Sequence, residues 1–258
     1  RNARSDPNRC GCPVLSRRVG LADPRMVDLE TLSPKEAKYV LAALRDDTLV
    51  RCAADGLFWL RFVQTRDEAD PDVPVKPFPV HLEYIREVWK ILCDRQRVVI
   101  AKSRQMLISW VLCAFCVWRA RFTPHQYIIW QSQKEPDANI MVSLAGGDKD
   151  TGYLGRMQFI ERNLPTWLQV RVKPSEGILN YPNGSRIQAL PGGANQVRGK
   201  VPSLIIEDEF AFQEEARGVY TAVNPLIQKA TKFIAVSTPN GLGNVFSELY
   251  HGSALISV

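Results

Sequence analysis

The sequence predicts an α/β fold, a mostly parallel sheet flanked by helices, with a small helical appendage on its N-terminal side. Three stretches, 98–110, 203–212 and 232–243, each contain a run of apolar residues rich in β-branched side chains that leads into a short polar tip. Strand-then-tip units alternating with helical patterns give parallel strands whose chemistry gathers at their carboxyl ends. The chain has 258 residues, 45% hydrophobic and 23% charged, enough for one large α/β domain plus the appendage.

In chain order, residues 1–30 read as a disordered basic arm, with six arginines and no lysine in the first 25 residues. Residues 31–75 form the helical appendage and linker. Its helix opens at SPKEAKYVLAAL, where Ser33 is a cap, Pro34 sits in the first turn and Glu36 follows three residues after the cap. The segment DEADPDVPVKPFP, residues 67–79, is rich in proline and acid and reads as a linker. Residues 76–258 form the main domain, which begins with an amphipathic helix in PFPVHLEYIREVWKIL.

VVIAKSRQMLISW, residues 98–110, has the layout of a buried strand, a polar elbow and an apolar helix. That is how a phosphate-binding loop is built, with backbone N–H groups around the phosphates, a lysine on the terminal ones and a hydroxyl on Mg²⁺. As a pattern the match to G-x-x-x-x-G-K-[ST] is poor. With Ser109 on the hydroxyl position, Lys102 stands at the first glycine, Leu107 at the second and Ile108 at the lysine. A flexible ammonium at Lys102 reaches phosphate from the head of the loop, Arg104 supplies a second cation, and Ser103, Gln105 and Met106 complete the loop. The same residues also fit a buried strand and a core helix with solvated charges between them.

SLIIEDEFAF, residues 203–212, ends a hydrophobic strand in three carboxylates. A phosphate-loop enzyme needs one acidic residue on a neighbouring strand tip to hold the Mg²⁺ shell and a second to position water. Asp208 and Glu209 take these two roles, while Glu207, standing where another apolar residue is expected, leaves the register open by one. KFIAVSTPNGLG, residues 232–243, places Ser237, Thr238 and Asn240 on the next tip, where they can sense a γ-phosphate.

These segments resemble the large terminase subunits of tailed bacteriophages over roughly residues 77–243. KSRQMLIS is similar to their deviant phosphate loop with the lysine at its head, LIIEDEFAF to their acidic strand, and STPNG to the motif that couples hydrolysis to DNA movement. The resemblance implies a P-loop NTPase fold of the RecA/ASCE kind and the ATPase motor of a DNA-packaging machine. ATP and Mg²⁺ are the implied cofactors and double-stranded DNA the implied substrate. It further implies a homo-oligomeric ring on a portal protein, a small terminase subunit as a possible partner, and work in the host cytoplasm during virion assembly. Arg198, in the glycine-rich loop PGGANQVRGK, resembles an arginine finger in position. In that family a segment before the phosphate loop packs on adenine. Here Phe78 is placed to stack, with His81 or Glu83 in the polar role usually held by glutamine. A metal-dependent nuclease follows the ATPase in these proteins, and this chain stops fifteen residues past Gly243, so no DNA cleavage is expected of it. Two readings remain beside this one: another P-loop DNA motor such as a helicase, and a nucleotide-binding scaffold with weak catalysis, suggested by the missing loop glycines.

The net charge of +6 permits a polyanionic partner without requiring one. Of the six cysteines, Cys10 and Cys12 form only a C-x-C, and Cys113 and Cys116 lie in an apolar helix without histidines, so the pattern is that of free thiols rather than of zinc. The apolar run 106–118, bounded by Arg104 and Arg119, falls short of the roughly 20 residues a bilayer needs and reads as a core helix.

Overall fold

The computed structural model describes residues 34–66, 75–104, 106–132, 152–252 and 256–257. The expected basic arm, the capping Ser33, Gln105 and residues 67–74 of the expected linker lie outside these residues.

Two helices open the described chain, α1 (Pro34–Ala54) and α2 (Gly56–Leu60). The second is started by Asp55, whose carboxylate accepts the Leu57 and Phe58 N–H groups and so satisfies donors that a helix start leaves bare. Part of the segment expected as linker is strand. Strands β1 (Gln64–Arg66) and β2 (Val75–Pro77) pair antiparallel, pinning the entry to the main domain. The amphipathic pattern forms α3 (Glu83–Asp94), which buries Ile85, Val88, Trp89 and Leu92 at helical spacing.

Then come β3 (Arg97–Ala101), α4 (Ile108–Phe122), β4 (Tyr127–Ser132) and α5 (Gly152–Asn163). Eleven of the fifteen α4 residues are buried, so this helix is covered on nearly every side, as its unbroken apolar run requires. Strands β5 (Lys173–Ser175), β6 (Ile178–Asn180) and β7 (Arg186–Pro191) make an antiparallel extension, turned at Asn183-Gly184, where Gly184 takes φ 82°. The remainder is α6 (Ala194–Val197), β8 (Leu204–Asp208), a 3₁₀ turn at Phe210–Phe212, α7 (Ala216–Lys229), β9 (Lys232–Ser237), α8 (Val245–Gly252) and β10 (Ile256–Ser257).

The main sheet has eight strands in the order β10-β3-β9-β8-β4-β7-β6-β5, parallel from β10 through β7. Strand β8 is therefore not the direct neighbour of β3, because β9 runs between them. Strand parity separates two cores. Even-numbered residues such as Val98, Ile100, Ile128, Trp130, Leu204, Ile206, Ile234 and Val236 pack with α2 to α5. Odd-numbered Val99, Ile129, Ile205, Phe233 and Ala235 pack with α6 to α8. The first core continues into the appendage, where Trp59, Trp89, Trp118 and Phe115 cluster and the Trp118 indole donates to the Cys52 carbonyl at 2.8 Å.

The strand order also fixes where a ligand fits. Strand β3 leads through α4 to β4 on one side, whereas β9 leads through α8 to β10 on the other. Right-handed crossovers in opposite directions put the two helices on opposite faces. The chain thus leaves adjacent strands β3 and β9 in opposite senses, which opens a crevice at their carboxyl ends, the usual ligand position in open α/β sheets. No helix among the described residues is long and apolar enough to cross a membrane.

Candidate nucleotide site

Lys102 leaves β3 at the mouth of this crevice, its backbone N–H extending the ladder to the Ser237 carbonyl at 3.0 Å. Its ammonium donates to the Ser109 hydroxyl at 3.2 Å and lies 3.6 Å from Asp208 Oδ1. Three residues from two strand tips and a helix start therefore meet around one charge. Between Lys102 and Ser109 the loop turns sharply. Leu107, at the position of the second glycine, takes φ 54° and ψ 9°, a left-handed conformation that L-residues other than glycine seldom adopt. Ser103 and Arg104 are exposed on the crest, and the half-buried Met106 gives its carbonyl to the Tyr84 hydroxyl at 3.2 Å.

Asp208 ends β8 on the even face, the face of α4, with its side chain 1% exposed. Its Oδ1 accepts the Glu209 N–H at 2.8 Å, and the Tyr153 phenol hydrogen-bonds to the same carboxylate. A carboxylate beside the same ammonium that meets a serine hydroxyl is an oxygen set suited to a hard divalent cation. Glu209 follows in a left-handed conformation, φ 51° and ψ 36°, partly exposed at the strand tip. Glu207 points to the opposite face and is wholly buried, its carboxyl pushed up to about 8 by burial and drawn partly back by the amide of Gln213. Parity thus puts Asp208, and not Glu207, on the loop side.

Two side chains of the third tip hold the segment after Glu209. Ser237 Oγ accepts the Ala211 N–H at 3.2 Å and donates to the Thr238 carbonyl, and the Asn240 amide donates to the Ala211 carbonyl at 3.2 Å. Ser237 and Asn240 both grip the residue two places after Glu209, while Thr238 is half-buried beside them. Arg198 lies exposed at the end of α6, where it donates to the Asn195 side chain at 3.0 Å. Its loop is tied to the tip of β4 through Gln131, whose amide donates to the Pro191 and Gly193 carbonyls.

One expected contact is corrected. Phe78 is 4% exposed and packs in the first core, so neither ring face is open to a base. Its backbone turns there, with Val80 N–H bonding to the Phe78 carbonyl, and the ring is carried inward. His81 is exposed, as is Glu83, and Tyr84 is the residue of this segment that touches the loop. Tyr153 and Ser132 escape a reading of the sequence. Tyr153 stacks on Trp130 with ring centroids 4.4 Å apart, and its phenol is pushed up first by burial and then by the adjacent Asp208 charge. The Ser132 side chain is buried at the tip of β4, where it meets the Tyr153 phenol. Neither carries a local motif; only the pairing of distant segments brings them here.

No protein-family profile matches the sequence. Among solved structures, the large terminase of bacteriophage HK97 superposes with a TM-score of 0.51 over 66% of this chain and 36% of that chain, at 13% identity. The fold is that of the matched part of this large terminase, a mostly parallel sheet flanked by helices. A variant of the Thermus phage P74-26 large terminase ATPase domain gives a TM-score of 0.47 at 18% identity, covering 61% of this chain and 65% of that chain. A second structure of that domain gives 0.46 at 18% identity, with 63% and 68% covered. This chain spans less than two thirds of the length of either the HK97 protein or the P74-26 variant. Residue for residue the shared terminase fold is diverged, so the chemistry of this site rests on its own side chains.

Proposed function

We propose that this chain is the ATPase motor unit of a terminase large subunit, hydrolysing ATP to move double-stranded DNA into a procapsid. The observation that carries the reading is the meeting of Lys102, Ser109 and Asp208 in the crevice between β3 and β9. A lysine that heads the loop, rather than ending it, still brings its ammonium beside the helix-start hydroxyl and the acidic strand tip. The terminase fold and the resemblance of the three segments support the same reading.

Catalysis of phosphoryl transfer is mostly positioning and charge stabilisation. In this reading Lys102 and Arg104 grip the phosphates, with backbone N–H groups from Ser103 to Met106 around them. Ser109 and Asp208 would hold Mg²⁺, which supplies neutralising charge on the phosphate oxygens. Glu209 aligns the attacking water. Arg198, exposed and hydrogen-bonded to Asn195, reaches a γ-phosphate in a neighbouring subunit of a ring. Ser237, Thr238 and Asn240 couple turnover to movement through the segment after Glu209. The ring sits on a portal protein and works in the host cytoplasm, with a small terminase subunit as partner.

The test is ATP turnover of the purified chain with Mg²⁺, alone and with linear duplex or single-stranded DNA. Stimulation by duplex is expected. Stimulation by single strands alone points to an unwinding motor, and tight ATP binding without turnover to a scaffold.

A further inference from the structure

Glu207 has no part in the proposed phosphoryl-transfer chemistry, yet it is a wholly buried carboxyl one residue from Asp208. Its Oε2 accepts from Gln213 Nε2 at 3.1 Å, and the same amide donates to the Asp208 carbonyl at 3.0 Å. Gln213 is itself only 8% exposed. One amide group therefore ties the side chain of residue 207 to the backbone of residue 208 from across a five-residue excursion. Within that excursion lies the 3₁₀ turn, closed by the Phe212 N–H on the Glu209 carbonyl at 2.9 Å. Its midpoint, Ala211, is held on both backbone groups by Ser237 and Asn240. Residues 209–213 thus form a loop bracketed at its base by Gln213 and at its crown by the tip of β9.

We infer that Gln213 is a positioning residue, anchored on Glu207, that fixes where Glu209 presents its carboxylate. This rests on the reading of Glu209 as the group that aligns water. A left-handed conformation at a residue other than glycine is disfavoured and persists only where the surroundings over-determine it. The bracket supplies that constraint: its base holds the Asp208 carbonyl, the peptide that carries the Glu209 N–H. Without it Glu209 relaxes toward an ordinary backbone region, which swings the carboxylate away from the crevice. A misplacement of about 1 Å costs on the order of 100-fold in rate.

The experiment compares Gln213→Met, of similar length but without the amide, with Glu207→Leu and Glu207→Gln. Gln213→Met and Glu207→Leu lower kcat by roughly 10- to 100-fold, with KM for ATP within about threefold of wild type because the phosphate loop is untouched. Glu207→Gln keeps an acceptor for the Gln213 amide and retains most of the turnover. Wild-type kcat in Gln213→Met overturns the inference. So does a loss in Glu207→Gln as deep as in Glu207→Leu, or a fall in kcat matched by a rise in KM. A structure of Gln213→Met, or of Glu207→Leu should the first variant not fold, gives a readout independent of turnover. Glu209 leaves the left-handed region there, and a Glu209 that keeps φ near 51° refutes the bracket. Wild type without ATPase activity refutes the proposed function, while the structural arm still decides the bracket.

Discussion

Replacing Glu207 with glutamine should change how stability depends on pH, in a direction fixed by the burial of that carboxyl. Glu207 is wholly buried at the end of β8, and burial raises it from an ordinary value near 4.5 to about 8. Between those two pH values the folded chain keeps a proton that the unfolded chain has released. The native state then binds one proton more, so stability falls as pH rises, by about 1.4 kcal/mol per pH unit. The contribution is fully present below pH 4.5 and is lost as pH climbs through about 8, beyond which both states are ionised. Over the whole window this amounts to roughly 5 kcal/mol. Glutamine mimics the protonated carboxyl, keeps an acceptor for Gln213 and cannot ionise. Every other titrating group is common to the two proteins and cancels in the comparison. Urea unfolding at intervals from pH 5 to pH 9, with a chelator to keep Mg²⁺ away from Asp208, should show the glutamine variant gaining on wild type throughout the climb and levelling off above pH 8. Parallel stability curves across that range would refute the assignment of a neutral, buried Glu207.

Lys102→Ala should lose both tight ATP binding and turnover, since Lys102 is the cation that meets Ser109 and Asp208; retained affinity in a nucleotide titration would move the role to Arg104. Glu209→Ala should bind ATP nearly as wild type does and lose most turnover, because the phosphate and metal grips remain. Arg198→Ala should lose on the order of 10³-fold or more in turnover if it acts as a finger. Mixed with Glu209→Ala under assembly conditions it should recover partial activity, and a mixture as inactive as its parts would sink action in trans. Away from the site, Gly56→Ala should destabilise by about 1–3 kcal/mol, because the added methyl would lie 2.5 Å from the Trp89 indole; an unchanged urea midpoint would show that this aromatic cluster gives way freely.

The parallel sheet and its three polar tips are readable from the sequence because each strand is a contiguous apolar run with its polar residues at one end. The order of the strands is not. Placing β9 between β3 and β8 depends on two crossovers in opposite directions, and neither leaves a local signal. The register of the acidic tip is hidden for a related reason. All five residues of β8 are buried, so the strand lacks the polar alternation that tells one face from the other, as expected of a strand covered on both sides. Only the assignment of odd and even residues to two separate cores distinguishes Asp208 from Glu207. Phe78 departs from its expected role because a proline-flanked aromatic fits an exposed platform and a buried plug equally well, and a local turn decides between them.

The turn between Lys102 and Ser109 shows how a leucine can stand where the pattern has glycine. Glycine is favoured at the second loop position because it enters the left-handed region without cost. Leu107 enters that region at a cost of about 1–2 kcal/mol. Its side chain packs partly against the first core, and burying a leucine contributes about 1.5–3 kcal/mol when complete. Partial burial is thus of the size needed to offset the strain. The Val111 N–H bonds to the Leu107 carbonyl at 2.9 Å, so the strained residue is also the one from which α4 starts. Exchanging glycine for leucine at this position therefore keeps the turn that delivers Ser109 to Lys102, and the helix start and the core hold it in place of glycine's conformational freedom.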